Sequence, residues 1–333
     1  MNSQVKLLAI ESSCDDTSAA VLIDGRVLSN EVAGQLVHEK FGGVVPELAS
    51  RAHQQHIVPV IDAALKAAGV RMEDLNAIAY TQGPGLMGSL LVGSSFAKGL
   101  ALSCKIPLLP VNHMDAHVMA HFIDDPKPQF PFLCLVVSGG HTQLVRMDNA
   151  TSMEIIGKTQ DDAAGEAFDK SAKLLGLPYP GGPLIDQYAK EGKASRFQFN
   201  TSKMPGYDFS FSGLKTSILY FVQAEQKKNP QFIKENLADL CASIQETIVG
   251  YLLKNLKRAA LDQGIKHIGI AGGVSANSRL RIRVQELANS QGWQAYIPDF
   301  QYCTDNAAMI GITAHYHFLS GNFGSISDRP YAR

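Results

Sequence analysis

No CxxC pair occurs among the five cysteines, Cys14, Cys104, Cys134, Cys241 and Cys303. Their odd number and wide spacing argue against a disulfide framework and against a cysteine zinc site, and a reducing compartment is the expectation. A basic excess is also missing: 30 Lys and Arg stand against 31 Asp and Glu, a formal net charge of -1. Electrostatics supply most non-specific nucleic-acid affinity, so any RNA contact must use a local patch or a partner's surface. The N-terminal stretch MNSQVKLLAIESSCDD has one lysine and only a short apolar run before it turns acidic. It reads as neither a signal peptide nor a membrane span, which makes a cytoplasmic chain without membrane attachment the expectation. What remains is an ordinary globular balance, 45% hydrophobic and 18% charged over 333 residues. That length suits two lobes, each able to bury its own core.

Element order supports two lobes, at 1–125 and 126–333. In the first, apolar runs at 5–10 and 17–23 read as strands. Asp24-Gly25 is a hairpin signal returning a third strand at 26–32. The loop FGGVVPELAS leads into a helix at 47–68 closed by Gly69. A strand at 76–81, a glycine-rich turn into a helix, a strand at 107–111 and a helix from Asn112 follow. The second lobe replays this order with strands at 132–138, 141–147 and 153–159 and a helix at 161–175. A long helix at 235–261, a strand at 266–270, a helix after AGGVSANSRL, a strand at 295–297 and a last helix from Asp305 complete it. An irregular insertion at 178–231, containing YPGGP and PGYDFSFSGLKT, interrupts the repeat; inserts of this length are more often functional than idle.

Three turns have the character of anion cradles: ESSCDDTS, VSGGHT and AGGVSAN. Two stand at equivalent places in the repeat, and all three follow a strand, where backbone N–H groups can meet a phosphate. A nucleotide held between the lobes is the expectation. In VNHMDAH, His113 and His117 are four residues apart, on one helix face, so both imidazoles can meet one ion. His121 shares that face, but eight residues of helix span roughly 12 Å, too far for one ion with bonds of about 2 Å. Asp305 is the best third ligand, although an acid there also suits a helix N-cap. Met114 follows the first histidine where a zinc protease needs a glutamate base, which disfavours that chemistry.

Together IESSCDDT, GGVVPELASRAH, TQGPGLMGSLLVG, VNHMDAH, LVVSGGHTQL, DDAAGEAFDKSAKLLGLPYPGGP, DFSFSGLKT, AGGVSANSRL and CTDNAAMI resemble the TsaD (Gcp or Kae-type) family over nearly the whole chain. Ser12 and Asp16 stand where the family more often has Thr and Glu, which keeps the chemistry. The resemblance implies an α/β, two-lobed, duplicated ribonuclease H-like fold of the sugar kinase/actin/Hsp70 type. It implies transfer of a threonylcarbamoyl group from threonylcarbamoyl-adenylate to N6 of adenosine 37 in tRNAs reading codons that start with A. It assigns one divalent metal, usually iron as Fe(2+), to His113, His117 and Asp305. It gives the phosphate and threonylcarbamoyl end of the adenine nucleotide to Val136, Val137, Ser138, Gly139 and Gly140. The nucleoside part falls to Asp169, Gly182, Asp186 and Asn277. Implied partners are the tRNA anticodon loop, a TsaB-like paralogue and a TsaE-like ATPase.

Asp15, on the ESSCDD turn, is the candidate base for the N6 proton. Lys170, Lys173, Arg196, Lys203 and Lys215 are the candidate RNA contacts. Two other classes compete. A small-molecule kinase of the same fold would want oxygen-liganded magnesium, which the histidine pair disfavours. An ATP-driven chaperone would need a peptide-binding domain, and no spare segment is long enough.

Overall fold

The computed structural model describes residues 4–332 apart from 36, 37 and 39–42, so the start of the expected FGGVV loop lies outside the described residues. Two compact units form, Met1–Lys127 with Asp299–Arg333, and Pro128–Pro298. Residues 299–333, expected in the second lobe, therefore belong with the first. The order of elements along a chain does not reveal where its final segment docks.

In the first unit, β1 (Lys6–Glu11), β2 (Thr17–Ile23) and β3 (Arg26–Ala33) form an antiparallel meander. The β2–β3 turn carries Asp24 and Gly25 at positive φ, as the hairpin signal requires. Helix α1 (Pro46–Ala68) starts with proline in its first turn and ends on Gly69 in the left-handed region, both standard helix boundaries. Strand β4 (Ala77–Gly83), helix α2 (Met87–Cys104), strand β5 (Leu108–Asn112) and helix α3 (His113–Met119) follow. The sheet order is β3-β2-β1-β4-β5, with β4 and β5 parallel to β1. Leu8, Ile10, Val21, Ile78 and Tyr80 from the sheet close over Ile57 and Ile61 of α1. Helix α2 is long and apolar enough to cross a membrane by length and composition alone. Here it lies on β4 and α1, with Ser89 and Ser94 buried.

In the second unit, β6 (Phe132–Val137), β7 (Thr142–Asn149) and β8 (Ser152–Lys158) repeat the meander. Helices α4 (Ala164–Leu174), α5 (Gly181–Ala189), α6 (Ser212–Lys228) and α7 (Phe232–Gln263) come next. Strand β9 (His267–Ala271), helix α8 (Ser278–Gln291) and strand β10 (Gln294–Tyr296) complete it. Read from β8, the sheet runs β8-β7-β6-β9-β10, the order of the first sheet repeated, again with the last two strands parallel to the central one. Leu133, Leu135, Phe168, Ile185, Phe209, Phe211, Ile244 and Leu252 fill its core.

The stretch read as irregular contains α5 and α6. Gly-Gly-Pro opens α5 rather than breaking it, because proline in a first turn has no hydrogen bond to lose. The aromatic segment before α6 is inside: Phe209 and Phe211 are fully buried and stand edge-on to Tyr251. Helix α9 (Ala307–Leu319) packs on β1, β2 and β3 of the first unit. It carries a run of buried apolar residues, Ala307 to Ile312, that needs a sheet face to cover it.

Candidate metal centre and anion-binding turn

Asn112, the last residue of β5, caps α3: its side-chain oxygen accepts from the amides of Met114 (2.8 Å) and Asp115 (3.1 Å). Its amide nitrogen donates to the Tyr331 hydroxyl (2.9 Å), which ties the cap to the C-terminal segment. The helix so started presents His113 and His117 side by side, ring centroids 4.7 Å apart. Asp305 arrives from just before α9. The cap of α9 is Asn306, whose side chain accepts from the Met309 amide (3.0 Å). The cap reading therefore goes to the neighbour, and the Asp305 carboxylate is left for the histidines. Its Oδ1 lies 3.3 Å from Nε2 of His113 and 3.3 Å from Nε2 of His117. Both histidines are buried, while the Asp305 side chain stays partly open to solvent.

Donor atoms bound to one tetrahedral ion at about 2.0–2.1 Å lie about 3.3–3.4 Å from each other. The Asp305–histidine separations match that edge, and all three donor atoms lie within 4.8 Å of one another, so the group could hold a metal ion. Two imidazoles and one carboxylate suit zinc or iron and leave a coordination position open. His121, in the 3-10 turn Ala120–Phe122, is buried but outside this cluster, as the helix geometry requires.

Glu11 and Ser13, which the sequence did not single out, complete the surroundings. Glu11 is fully buried at the end of β1, and its Oε2 lies 3.1 Å from His113 Nδ1. The Ser13 amide and the Thr81 hydroxyl donate to the same carboxylate, and the Ser13 hydroxyl is 3.2 Å from His113 Nδ1. Burial disfavours charge on His113, yet Asp305 and Glu11 on its two sides outweigh that and raise its pKa well above the ordinary value. Burial likewise opposes ionisation of Asp305, and the attraction and hydrogen bond of His113, then those of His117, overcome it, holding the carboxyl far below the usual range.

The β1–β2 turn that carries Asp15 is held from several sides. The Cys14 carbonyl accepts from the Ser89 hydroxyl (2.9 Å) and lies 3.0 Å from His53 Nε2, and the Ser13 carbonyl accepts from the Leu86 amide (2.7 Å). Asp15 itself is half-buried. Burial, then the nearby Asp15, Asp305 and Glu11 charges, push the Asp16 carboxyl up to about 7.

In the second unit, Val136 and Val137 end β6 with buried side chains and can offer a ligand only backbone. The turn beyond them is closed by the Ser138 amide donating to the His141 carbonyl (2.8 Å) and the His141 amide donating to Ser138 Oγ (3.1 Å). Gly165 and Gly272 are forced by this turn: a Cβ on Gly165 would sit 2.6 Å from the Ser138 carbonyl, and one on Gly272 2.5 Å from the Val137 carbonyl. Gly139 and Gly140 are different. Neither has positive φ, a Cβ would meet nothing within 4 Å, and neither amide is hydrogen-bonded among the described residues.

The four nucleoside candidates all have work inside the fold. Asp169 Oδ1 accepts from the amides of Gly181 (2.9 Å) and Gly182 (3.0 Å) at the start of α5, and burial raises its pKa despite those bonds. Asp186 accepts from the Gln245 side chain, the Ser278 hydroxyl (2.7 Å) and the Ser278 amide (3.3 Å), joining α5 to the start of α8. Asn277 caps α8 through the Leu280 amide (3.0 Å). Of the basic candidates, Lys170 pairs with Asp162 (2.7 Å) and Glu166 (2.6 Å), and Arg196 with Asp239 (3.3 Å). Lys173, Lys203 and Lys215 make no ion pair among the described residues.

Among solved structures, HypF in its phosphate- and nucleotide-bound form superposes with a TM-score of 0.65 at 13% identity, over 97% of this chain and 57% of that one. Component A of (R)-2-hydroxyglutaryl-CoA dehydratase from Acidaminococcus fermentans gives 0.55 at 14% identity, over 94% and 98%. These likenesses bear on the fold, which is of the sugar kinase/actin/Hsp70 type, two mixed five-stranded sheets with helices. In sequence, the chain is 57% identical over 335 residues to the tRNA N6-adenosine threonylcarbamoyltransferase of Christiangramia forsetii, covering 100% of this chain and 98% of the relative. It is 56% identical over 329 residues to the protein of that name from Cytophaga hutchinsonii, covering 99% and 96%. Residues 26–312 match the family model "TsaD: tRNA N6-adenosine threonylcarbamoyltransferase". The chain therefore belongs to the TsaD family of tRNA N6-adenosine threonylcarbamoyltransferases.

Proposed function

We propose that the donor in this tRNA modification is threonylcarbamoyl-adenylate and that the acceptor is N6 of adenosine 37, in the anticodon loop of tRNAs reading codons that start with A. The observation that carries the reading is the convergence of His113, His117 and Asp305 in a chain of this family. The ion is Fe(2+), in keeping with a two-histidine, one-carboxylate donor set. When bound, it supplies Lewis acidity toward a carbonyl oxygen and toward the leaving phosphate.

The chain's own groups supply the rest. The N6 lone pair forms the new bond to the carbamoyl carbon, the carbon–oxygen bond to phosphate breaks, and AMP leaves with the electron pair. Asp15 takes the N6 proton; in support, it shares its turn with Ser13, whose hydroxyl reaches His113. The Gly139 and Gly140 amides receive the anionic end of the donor. Neither backbone conformation nor crowding demands glycine there, which supports close approach of a ligand as the reason for both. Asp169, Gly182, Asp186 and Asn277 place the adenosine, supported by the Asp186–Ser278 link that ties α5 to the start of α8.

A chain of net charge -1 binds tRNA with help. Lys203 and Lys215 contact the anticodon loop, and a TsaB-like paralogue and a TsaE-like ATPase assist, in the cytoplasm and without a membrane. The test is nucleoside analysis of tRNA incubated with the chain, these partners and the adenylate. Threonylcarbamoyladenosine at position 37 is the expected product. Its absence with intact adenylate would overturn the choice of donor.

A further inference from the structure

We propose that Glu11 is a positioning residue for the metal centre: its buried carboxylate fixes His113 with the proton on Nδ1, so that Nε2 faces the ion beside Asp305 and His117. The inference rests on the metal reading above. Glu11 is not in the ligand cluster; the imidazole of His113 stands between it and Asp305, with Oε2 at 3.1 Å from Nδ1 and Asp305 Oδ1 at 3.3 Å from Nε2. The two faces of the ring are thereby distinguished. An acceptor on the Nδ1 side selects the tautomer whose lone pair lies on Nε2.

His117 has no such support. Its Nδ1 is buried and has no hydrogen-bond partner among the described residues. Orientation of the histidine pair therefore depends on Glu11 through His113. The carboxylate is itself pinned: one oxygen accepts from the Ser13 amide, the other from the Thr81 hydroxyl, and the residue closes the buried run of β1. A fully buried carboxylate is costly unless every contact donates to it, and here the Ser13 amide, the Thr81 hydroxyl and the His113 ring can all do so.

Substitution by glutamine separates this role from simple packing. An amide of the same shape can satisfy the Ser13 amide with its oxygen, but its NH2 group then faces His113 Nδ1 and favours the tautomer with the proton on Nε2. The experiment titrates metal-free protein with Zn²⁺ alone, chosen because it is redox-silent, for wild type, Glu11→Gln, Glu11→Asp and Thr81→Val. The His113 ring-nitrogen signals are followed by NMR in the same samples, and each melting temperature is recorded. Glu11→Gln is expected to weaken zinc binding about 10- to 100-fold, the range for loss of an outer-shell partner. In the neutral ring, its His113 signals should shift toward the Nε2-protonated form. Glu11→Asp, one methylene too short to reach the ring, should also weaken binding and guards against a glutamine variant that fails to fold. Thr81→Val removes one of the donors that pin the carboxylate and should weaken zinc binding in the same direction, by less than Glu11→Gln. Wild-type affinity together with an unchanged His113 tautomer in both Glu11 variants would overturn the proposal. A wild-type protein that binds no zinc would instead overturn the metal reading on which it stands.

Discussion

Two candidate binding features, one in each unit, are built in opposite ways. In the first unit, side chains from three distant stretches converge: Glu11 ends a strand, His113 and His117 ride a capped helix, and Asp305 precedes another helix. In the second, the candidate ligand groups are backbone amides of an open turn, and the acids near it are occupied with helix starts. Convergent buried side chains can be removed one at a time, with large losses of binding and little change of fold. A backbone cradle has no such side chains, and the residues around it carry stability as well as binding. Mutation should therefore separate function from stability in the first unit and mix them in the second.

The largest effect is expected at Asp305. Asp305→Ala removes the atom both histidines share and should lower Zn²⁺ affinity by at least about 100-fold, near 2.7 kcal/mol, with the melting temperature little changed. Isothermal titration calorimetry checks it; retained affinity would erase the contrast. Gly139→Val should come next, weakening adenine nucleotide binding by about tenfold or more without touching zinc affinity, because a side chain would stand where a phosphate approaches. Unchanged nucleotide affinity would count against the turn.

Asp169→Ala tests the mixing in the second unit. It strips two amides at the start of α5 of their acceptor and should cost about 1–2 kcal/mol of stability by denaturant titration, together with some nucleotide affinity. Loss of affinity with no loss of stability would make that site resemble the first. The smallest effect is a slope. The folded Asp16 carboxyl titrates at about 7 against 3.8 in the unfolded chain, so between those values the folded state keeps a proton that the unfolded state releases. This contribution to stability is full below about pH 4 and is lost as pH rises toward 7. Asp16→Asn should flatten that decline in metal-free protein, measured as unfolding midpoints across the range.

What could be read from the sequence follows the same division. The repeated meander was legible because buried strands announce themselves as apolar runs bounded by turn residues, Asp24-Gly25 among them. The histidine pair was legible because helical periodicity is local. Asp305 was placed correctly against the histidines, although Asn306 makes the cap that the sequence also allowed it. Two other features were hidden because they are tertiary. Glu11 gains its place only when β1 lies against β4 and the start of α3 comes beside both. Helix α9 returns to the first sheet because its apolar run needs cover, and that destination leaves no trace in the local pattern. The helices within 178–231 were missed because Gly-Gly-Pro reads as a turn until a buried acid, Asp169, is found to start a helix there.

The most direct test of the account measures metal content and threonylcarbamoyladenosine formation on tRNA in one preparation of the His113→Ala, His117→Ala double variant, beside wild type. About one ion per chain and active transfer are expected in wild type, and neither bound ion nor product in the folded variant. A folded variant that keeps either its metal or its transfer activity would contradict this expectation.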